Sequence, residues 1–240
     1  MPTALYRPAP NRHDEARKEF TGGMNAESGA LSRDRVLGCI LAGGLSRRMG
    51  GGDKSLMDLG GRTMLEMIVE RFTHQVPELI LNANGNPGRF AAFGLPVIAD
   101  PVGDYAGPLA GILAGLTFAR DHRPEVTHIV SVAGDTPFFP LTLVDRLCSA
   151  VPTEGSVVAL ASSRDRLHPV FGLWPVALLQ DLHGWLTSGQ NGKVLAFVDR
   201  HDSVEVSFGT DPATGLDPFF NANRPEDLVT VRETMSQNSP

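Results

Sequence analysis

Residues 41–54 concentrate groups that bind and move phosphate. Leu41-Ala42-Gly43-Gly44-Leu45-Ser46-Arg47-Arg48-Met49-Gly50 is followed shortly by Lys54. Paired glycines let the chain turn sharply and bring backbone N–H groups to an anion with no side chain between. Two arginines and a lysine enter the same small space, with three more glycines among them. The run Val36–Ala42 before the turn is apolar, short and partly β-branched, as a buried parallel strand is. Together these residues predict a polyanion site at a strand exit; the plain alternative is a structural turn carrying surface arginines.

Two common nucleotide loops are excluded by spacing. A Walker A loop requires glycine before Lys-Ser/Thr, and Asp53 stands before Lys54-Ser55. A dinucleotide fingerprint requires Gly-x-Gly-x-x-Gly, which Gly43-Gly44-Leu45-Ser46 does not supply.

Open α/β sheets bind ligands beyond the carboxyl ends of their strands. Asn82, Asp100 and Asp135 are expected there. Asp135 follows the apolar run Ile129–Gly134 and precedes Thr136-Pro137. A carboxylate at such an exit suits Mg²⁺, which takes one or two carboxylates and otherwise keeps water and substrate phosphates. An aspartate in an ordinary turn would look the same. Asp100 opens Asp-Pro-Val-Gly-Asp-Tyr-Ala-Gly-Pro-Leu-Ala-Gly111, a tight loop leading into a helix N-terminus, where unpaired N–H groups favour an anion or a nucleotide's polar edge.

The elements that must hold these residues alternate. Strands are expected at 36–42, 79–82, 96–100, 127–133, 156–161, 168–174 and 204–208. Helices are expected at 63–75, 109–120, 140–151, 175–187, 193–200 and 224–234. The alternation predicts an α/β fold: a single Rossmann-like, three-layer domain with a mainly parallel sheet. The expected organisation is a flexible N-terminal extension (1–35), one domain (36–235) and a polar tail (236–240).

The chain has 240 residues, 42% of them hydrophobic, and a formal charge of −6. That charge argues against broad nucleic-acid binding and makes the arginine–lysine cluster a local positive spot. The two cysteines, Cys39 and Cys148, are too few for a disulfide scaffold and read as reduced, buried thiols of a cytoplasmic protein. No apolar run approaches the ~20 residues that cross a membrane. Residues 1–35 lack the apolar core of a secretory signal. Seven histidines show no zinc-ligand spacing.

Leu-Ala-Gly-Gly-x-Ser-x-Arg-Met-Gly-x-x-x-Lys resembles the signature of nucleotidyltransferases, and of molybdenum cofactor guanylyltransferases in particular. The segment from Asp100 to Gly111, Asn82-Ala-Asn84, Gly-Asp135-Thr-Pro and Asn221-Ala-Asn223-Arg-Pro-Glu-Asp-Leu228 extend the resemblance in order over about residues 36–235. It implies a nucleotide-diphospho-sugar-transferase-like fold. It also implies transfer of GMP from Mg-GTP to the terminal phosphate of molybdopterin-bound molybdenum, with release of pyrophosphate. Leu41, Ala42, Gly43 and Gly44 would hold the nucleotide, Lys54 and Arg48 the phosphates, Asn82 and Asp100 the nucleoside, and Asp135 the Mg²⁺. Asn221 and Asn223 would line the acceptor side, although Asn223 with Glu226 also reads as a capping box for the last helix. Arg164, Arg166 and His168 would grip the pterin phosphate or lie in a solvated loop. Lys193 reads as a surface lysine starting a helix rather than an acceptor contact, and Trp174 and Trp185 read as core.

The partners implied are GTP, the molybdenum cofactor, cofactor-synthesis proteins, and recipient molybdoenzymes or their chaperones. Nucleic acid and membrane are not among them, and a monomer is expected. One alternative is cytidylyl transfer to the same cofactor. Ala42-Gly43-Gly44 and Asp53-Lys54 argue against it, because such relatives tend to carry Ala-Ala-Gly and Asn-Lys. A sugar-phosphate nucleotidyltransferase would have a longer loop with proline before the lysine. A non-catalytic cofactor carrier would need neither Lys54 nor Asp135.

Overall fold

A computed structural model describes residues 30–42, 53–58, 61–102, 107–190, 192–210 and 215–221. The strands are β1 (Val36–Leu41), β2 (Glu78–Asn82), β3 (Val97–Ile98), β4 (His128–Ala133), β5 (Val158–Ser163), β6 (Arg166–Pro175) and β7 (Ser203–Ser207). They form one sheet of seven strands in the order β3-β2-β1-β4-β6-β5-β7. Only β6 runs against the others, since it is antiparallel to both neighbours while the remaining pairings are parallel. The sheet is therefore mainly parallel, as the alternation of elements requires.

Helices cover both faces. Helix α1 (Met64–Thr73) and α3 (Leu143–Ser149) pack on one face around Phe72, Phe139 and Leu147. Helix α2 (Pro108–His122), α4 (Leu179–Thr187) and α5 (Val194–Val198) cover the other around Leu113, Trp174 and Phe197. Strand β1 feeds both cores by alternation: Val36 and Ile40 join the first, Leu37 and Cys39 the second. Helix α1 begins at a complete capping box, Thr63 with Glu66, which satisfies two orphan N–H groups reciprocally.

Several boundaries differ from expectation for identifiable reasons. Strand β3 stops at Ile98 because the Asp100 N–H donates to the Asn84 side chain, 2.9 Å away, instead of continuing a ladder. Helix α3 starts only at Leu143; the Pro140 carbonyl before it accepts from Leu143 N and from the Gln75 amide. Strands β5 and β6 are joined by Arg164-Asp165, both at positive φ (48° and 58°), a two-residue hairpin turn without its usual Asn-Gly signal. Before β1, Leu31 is buried at 3% exposure and Arg33 pairs with Asp145, so residues 30–35 pack against the fold. Of the extension expected over 1–35, residues 1–29 lie outside the described residues, as do the expected final helix and polar tail.

Both cysteines are free and buried, and burial pushes each thiol up to about 12. Trp174 is core, and partly buried Trp185 packs against the same cluster, edge-on to Phe197.

His128, on the central strand β4, is 3% exposed, and burial, with nearby Arg35, pushes its pKa down to about 4. A depressed pKa means the fold disfavours the protonated ring. Its stabilisation is complete above the unfolded value of 6.5 and is lost as pH falls through about 4. Denaturant unfolding across that window should show stability falling by at most about 3 kcal/mol toward low pH from this group. His128→Gln should flatten that slope; an unchanged slope would assign the acid sensitivity elsewhere.

Candidate functional site at the strand exits

Parallel register brings the exits of β1, β2, β3 and β4 into one row. Leu41 stands opposite both Asn82 and Ala133, and Asn82 opposite Ile98. Hydrogen bonds extend the row one residue beyond the strands. Ala42 N donates to Asn82 O, Gly134 N to Leu41 O, and Ala83 N to Ile98 O, each at 2.9 Å. Ala42 therefore leaves the sheet between Asn82 on one side and the turn Gly134-Asp135 on the other.

Two glycines permit this closeness. A Cβ on Gly134 would lie 3.1 Å from the Cα and Cβ of Ala42. A Cβ on Gly111, in the first turns of α2, would lie 2.4 Å from Asn82 Oδ1 and 2.8 Å from Leu41 Cδ2. Helix α2 therefore presses its N-terminal end directly onto Asn82 and Leu41. Pro108 fills its first position, where no N–H is needed. Gly107 is its cap, with no side-chain hydrogen bond to it and no acid in the first turn. Among the described residues no side chain caps the positive end of the helix dipole, and such an end favours an anion.

Asn82 and Asp100 are held as a pair. Buried Asn82 donates from Nδ2 to Asp100 Oδ1 at 2.9 Å, and Asn84 donates to Asp100 Oδ2 at 2.7 Å. Asn84 also accepts from Asp100 N, so both amides converge on one carboxylate and fix its plane. Asn84 was a visible part of the sequence motif, but its orienting role depends on the register of β2 with β3. Asp135 is half-buried in the turn after β4, beside buried Thr136. Lys54 opens a 3-10 turn, Lys54–Leu56, tied by Leu56 N to Asp53 O. Gly43, Gly44, Arg48 and Asn223 lie outside the described residues.

A second polar group lies at the same edge, where β5 ends and antiparallel β6 begins. Buried Ser163 donates to Asp217 Oδ1 at 2.8 Å and has His168 Nε2 at 2.7 Å. A hydroxyl has one proton, so Nε2 must be the donor in that contact, which assigns the histidine tautomer. Burial, the largest cause, holds His168 below its ordinary pKa; Arg166 adds to this and Asp217 opposes it. The ring stacks on Phe219 at 4.5 Å between centroids, and Phe219 N donates to Asp217 Oδ1. His168 is thereby a support for segment 215–221, which ends at exposed Asn221. Arg164 and Arg166 are exposed. Lys193 is exposed at the start of α5, next to Gly192, whose carbonyl lies 3.8 Å from the Cβ position of Gly107.

Among the described residues no group of three or more His, Cys, Asp or Glu is placed to hold a metal ion, and no helix is long and apolar enough to cross a membrane. An all-protein metal cage is absent from those residues. What the edge offers is a helix N-terminus, one oriented carboxylate and a second carboxylate in the neighbouring turn, on a rim fixed by the Ala42, Ala83 and Gly134 hydrogen bonds. That set fits a nucleotide rather than a resident metal cluster.

Comparison with known proteins agrees with this class. Residues 38–204 match the MobA-like NTP transferase domain, and the protein is a nucleotidyltransferase. A molybdenum cofactor guanylyltransferase of Mesorhizobium japonicum is 51% identical over 199 residues, covering 83% of this chain and 95% of that one. Another with the same name, from a Bradyrhizobium species, is 50% identical over 194 residues, covering 81% and 90%. The chain belongs to the MobA-like NTP transferase family. The fold is similar to a solved molybdopterin-guanine dinucleotide biosynthesis protein A of Archaeoglobus fulgidus, with a TM-score of 0.62 at 22% identity, covering 84% of this chain and 99% of that one.

The glycine contacts yield a pair of opposite expectations. Gly111→Ala places a Cβ against an Asn82 amide that Asp100 holds in place, and overpacking of this kind costs about 1–3 kcal/mol. Gly184→Ala, inside α4 with nothing within 4 Å of its Cβ position, should gain about 0.5–1 kcal/mol from helix propensity. Denaturant unfolding of the two variants checks both signs. Equal effects would mean that α2 does not press on Asn82 as described.

Proposed function

We infer that the protein transfers GMP from GTP to the terminal phosphate of molybdopterin-bound molybdenum, forming the guanine dinucleotide cofactor and releasing pyrophosphate. The observation that carries this reading is the row of hydrogen bonds Ala83 to Ile98, Ala42 to Asn82 and Gly134 to Leu41, with Asp100 at its β3 end and Asp135 at its β4 end. The names of the close relatives supply the acceptor. Lys54 and Arg48 are proposed to meet the triphosphate, Leu41 through Gly44 the nucleotide, and Asn82 and Asp100 the nucleoside. Asn221 and Asn223 are proposed for the acceptor side, which the Ser163–His168–Asp217 support at the same edge favours.

The chemistry asks little covalent help of the protein. An oxygen of the acceptor phosphate, already an anion at neutral pH, attacks the α-phosphorus of GTP. The new P–O bond forms as the bond to the β-phosphate oxygen breaks, and the electron pair leaves on pyrophosphate. No proton has to be removed, so no general base is needed. The barrier comes from repulsion between anions and from charge growing on the leaving group, which fixed cations and amides offset. Lys54, Arg48 and the α2 terminus would do this, while the strand exits hold donor and acceptor in line.

Mg²⁺ would arrive with GTP. Asp135 supplies the hard oxygen donor it prefers, and a single carboxylate is enough where phosphates and water complete the shell. Bound there, the ion would polarise the phosphates and neutralise their charge. The same reading makes the protein a cytoplasmic monomer that passes its product to recipient molybdoenzymes.

The test incubates the protein with molybdenum cofactor, Mg²⁺ and each nucleoside triphosphate in turn and weighs the product. A GMP adduct is expected. Lys54→Ala and Asp135→Ala should lower the rate at least about a hundredfold, as removal of transition-state charge stabilisation does, with far-UV dichroism unchanged. A CMP adduct would overturn the guanine assignment, and absence of any adduct would favour a cofactor carrier. Wild-type rates for Asp135→Ala at limiting Mg²⁺ would remove that residue from the metal.

A further inference from the structure

Arg89 lies on a 3-10 helix, Pro87–Phe93, which begins at an Asn86 cap and a first-position proline. Its guanidinium reaches in three directions. Nε is 2.7 Å from Asp53 Oδ2, Nη2 donates to the Asn84 carbonyl at 2.6 Å, and the guanidinium carbon lies 4.7 Å from the centre of the Phe90 ring. Phe90 is itself buried. Gly85, at φ +86°, leaves the space: a Cβ there would stand 3.1 Å from Arg89 Nη1. The two charged side chains are only 28% and 19% exposed, so the ion pair is poorly screened by water.

Its two polar partners belong to different parts of the site. Asp53 immediately precedes Lys54. Asn84 is one of the two residues whose amides hold the Asp100 carboxylate. One guanidinium thus joins the approach to Lys54 with the corner formed by Asn82 and Asp100. Asp53 by itself would also be a liability, because an unpaired carboxylate one residue from Lys54 repels a polyanion.

We propose that Arg89 is a positioning residue for nucleotide binding. It neutralises Asp53 beside Lys54 and ties that carboxylate to the backbone of Asn84, so that the phosphate side and the Asp100 side keep one arrangement. The inference rests on the GTP reading above. It accounts for the presence of an acid at a place meant for an anion: Asp53 is the partner that seats Arg89, and Arg89 cancels its charge.

The test is a charge cycle on the full-length protein, read as the dissociation constant of GTP with Mg²⁺ by calorimetry, with thermal melting as the folding control. Arg89→Gln leaves Asp53 unpaired and should weaken GTP on the order of tenfold, from repulsion at short range in a partly desolvated place. Asp53→Asn alone should bind GTP at least as tightly as wild type, since it removes the anion and leaves the Arg89 cation in place. Combined with Arg89→Gln, it should restore binding to within about threefold, because no charge is then left to cancel. Arg89→Lys keeps the charge without the fork and should bind between wild type and Arg89→Gln; it also carries the test if the glutamine variant melts early. A purely structural role predicts instead that the double variant is as weak as Arg89→Gln or weaker, and that result overturns the inference. Wild-type affinity in Arg89→Gln overturns it equally. If the wild-type protein binds no Mg-GTP, the functional reading fails first and this one with it.

Discussion

The site depends on the parallel register between β1 and its two neighbours. With Leu41 level with both Asn82 and Ala133, three strands end together and their carboxyl ends share one rim. A slip of one residue would turn every side chain to the opposite face of the sheet, carrying Asn82 away from Asp100. The two cores oppose such a slip. Val36 and Ile40 must face α1 and α3 while Leu37 and Cys39 face α2, so burial of apolar side chains also holds the polar residues at the strand ends in register.

Close approach is the second constraint. Gly38, Gly111, Gly115 and Gly134 stand where a Cβ would meet a neighbour at 3.1 Å or less. Gly38 and Gly115 serve packing, against Leu79 on one face and Ile129 on the other. Gly111 and Gly134 bring the α2 terminus and the Asp135 turn up to Asn82 and Ala42. The field of a helix end falls off within its first turn, so the Gly111 contact fixes where that partial positive charge stands on an acidic protein.

Much of the fold was legible in the residues because its strands are short apolar runs bounded by turn formers, and its helices carry caps such as Thr63–Glu66 and Gly107-Pro108. The exits Asn82, Asp100 and Asp135 were recognisable as polar residues ending apolar runs. What was not legible rests on long-range partners. The truncation of β3 comes from an Asn84 side chain replacing a ladder bond. The tight β5–β6 turn uses Arg164-Asp165 at positive φ, without glycine or asparagine. The Arg89 helix was signalled only by Asn86-Pro87, and nothing local links Arg89 to Asp53. The resemblance offered His168 as a pterin-phosphate contact or part of a solvated loop, and nothing local announced that Ser163 would meet its Nε2 and Phe219 stack on its ring. Such pairings are written in tertiary structure rather than in neighbouring letters.

Hydrogen exchange with and without Mg-GTP tests the central claim most directly. Nucleotide seated on the shared rim should slow exchange at Ala42, Ala83 and Gly134 and through the turn at Asp135. It should leave the opposite ends of the same strands, at Glu78 and His128, unchanged. Slowing confined to those opposite ends, or no slowing anywhere, would contradict the account.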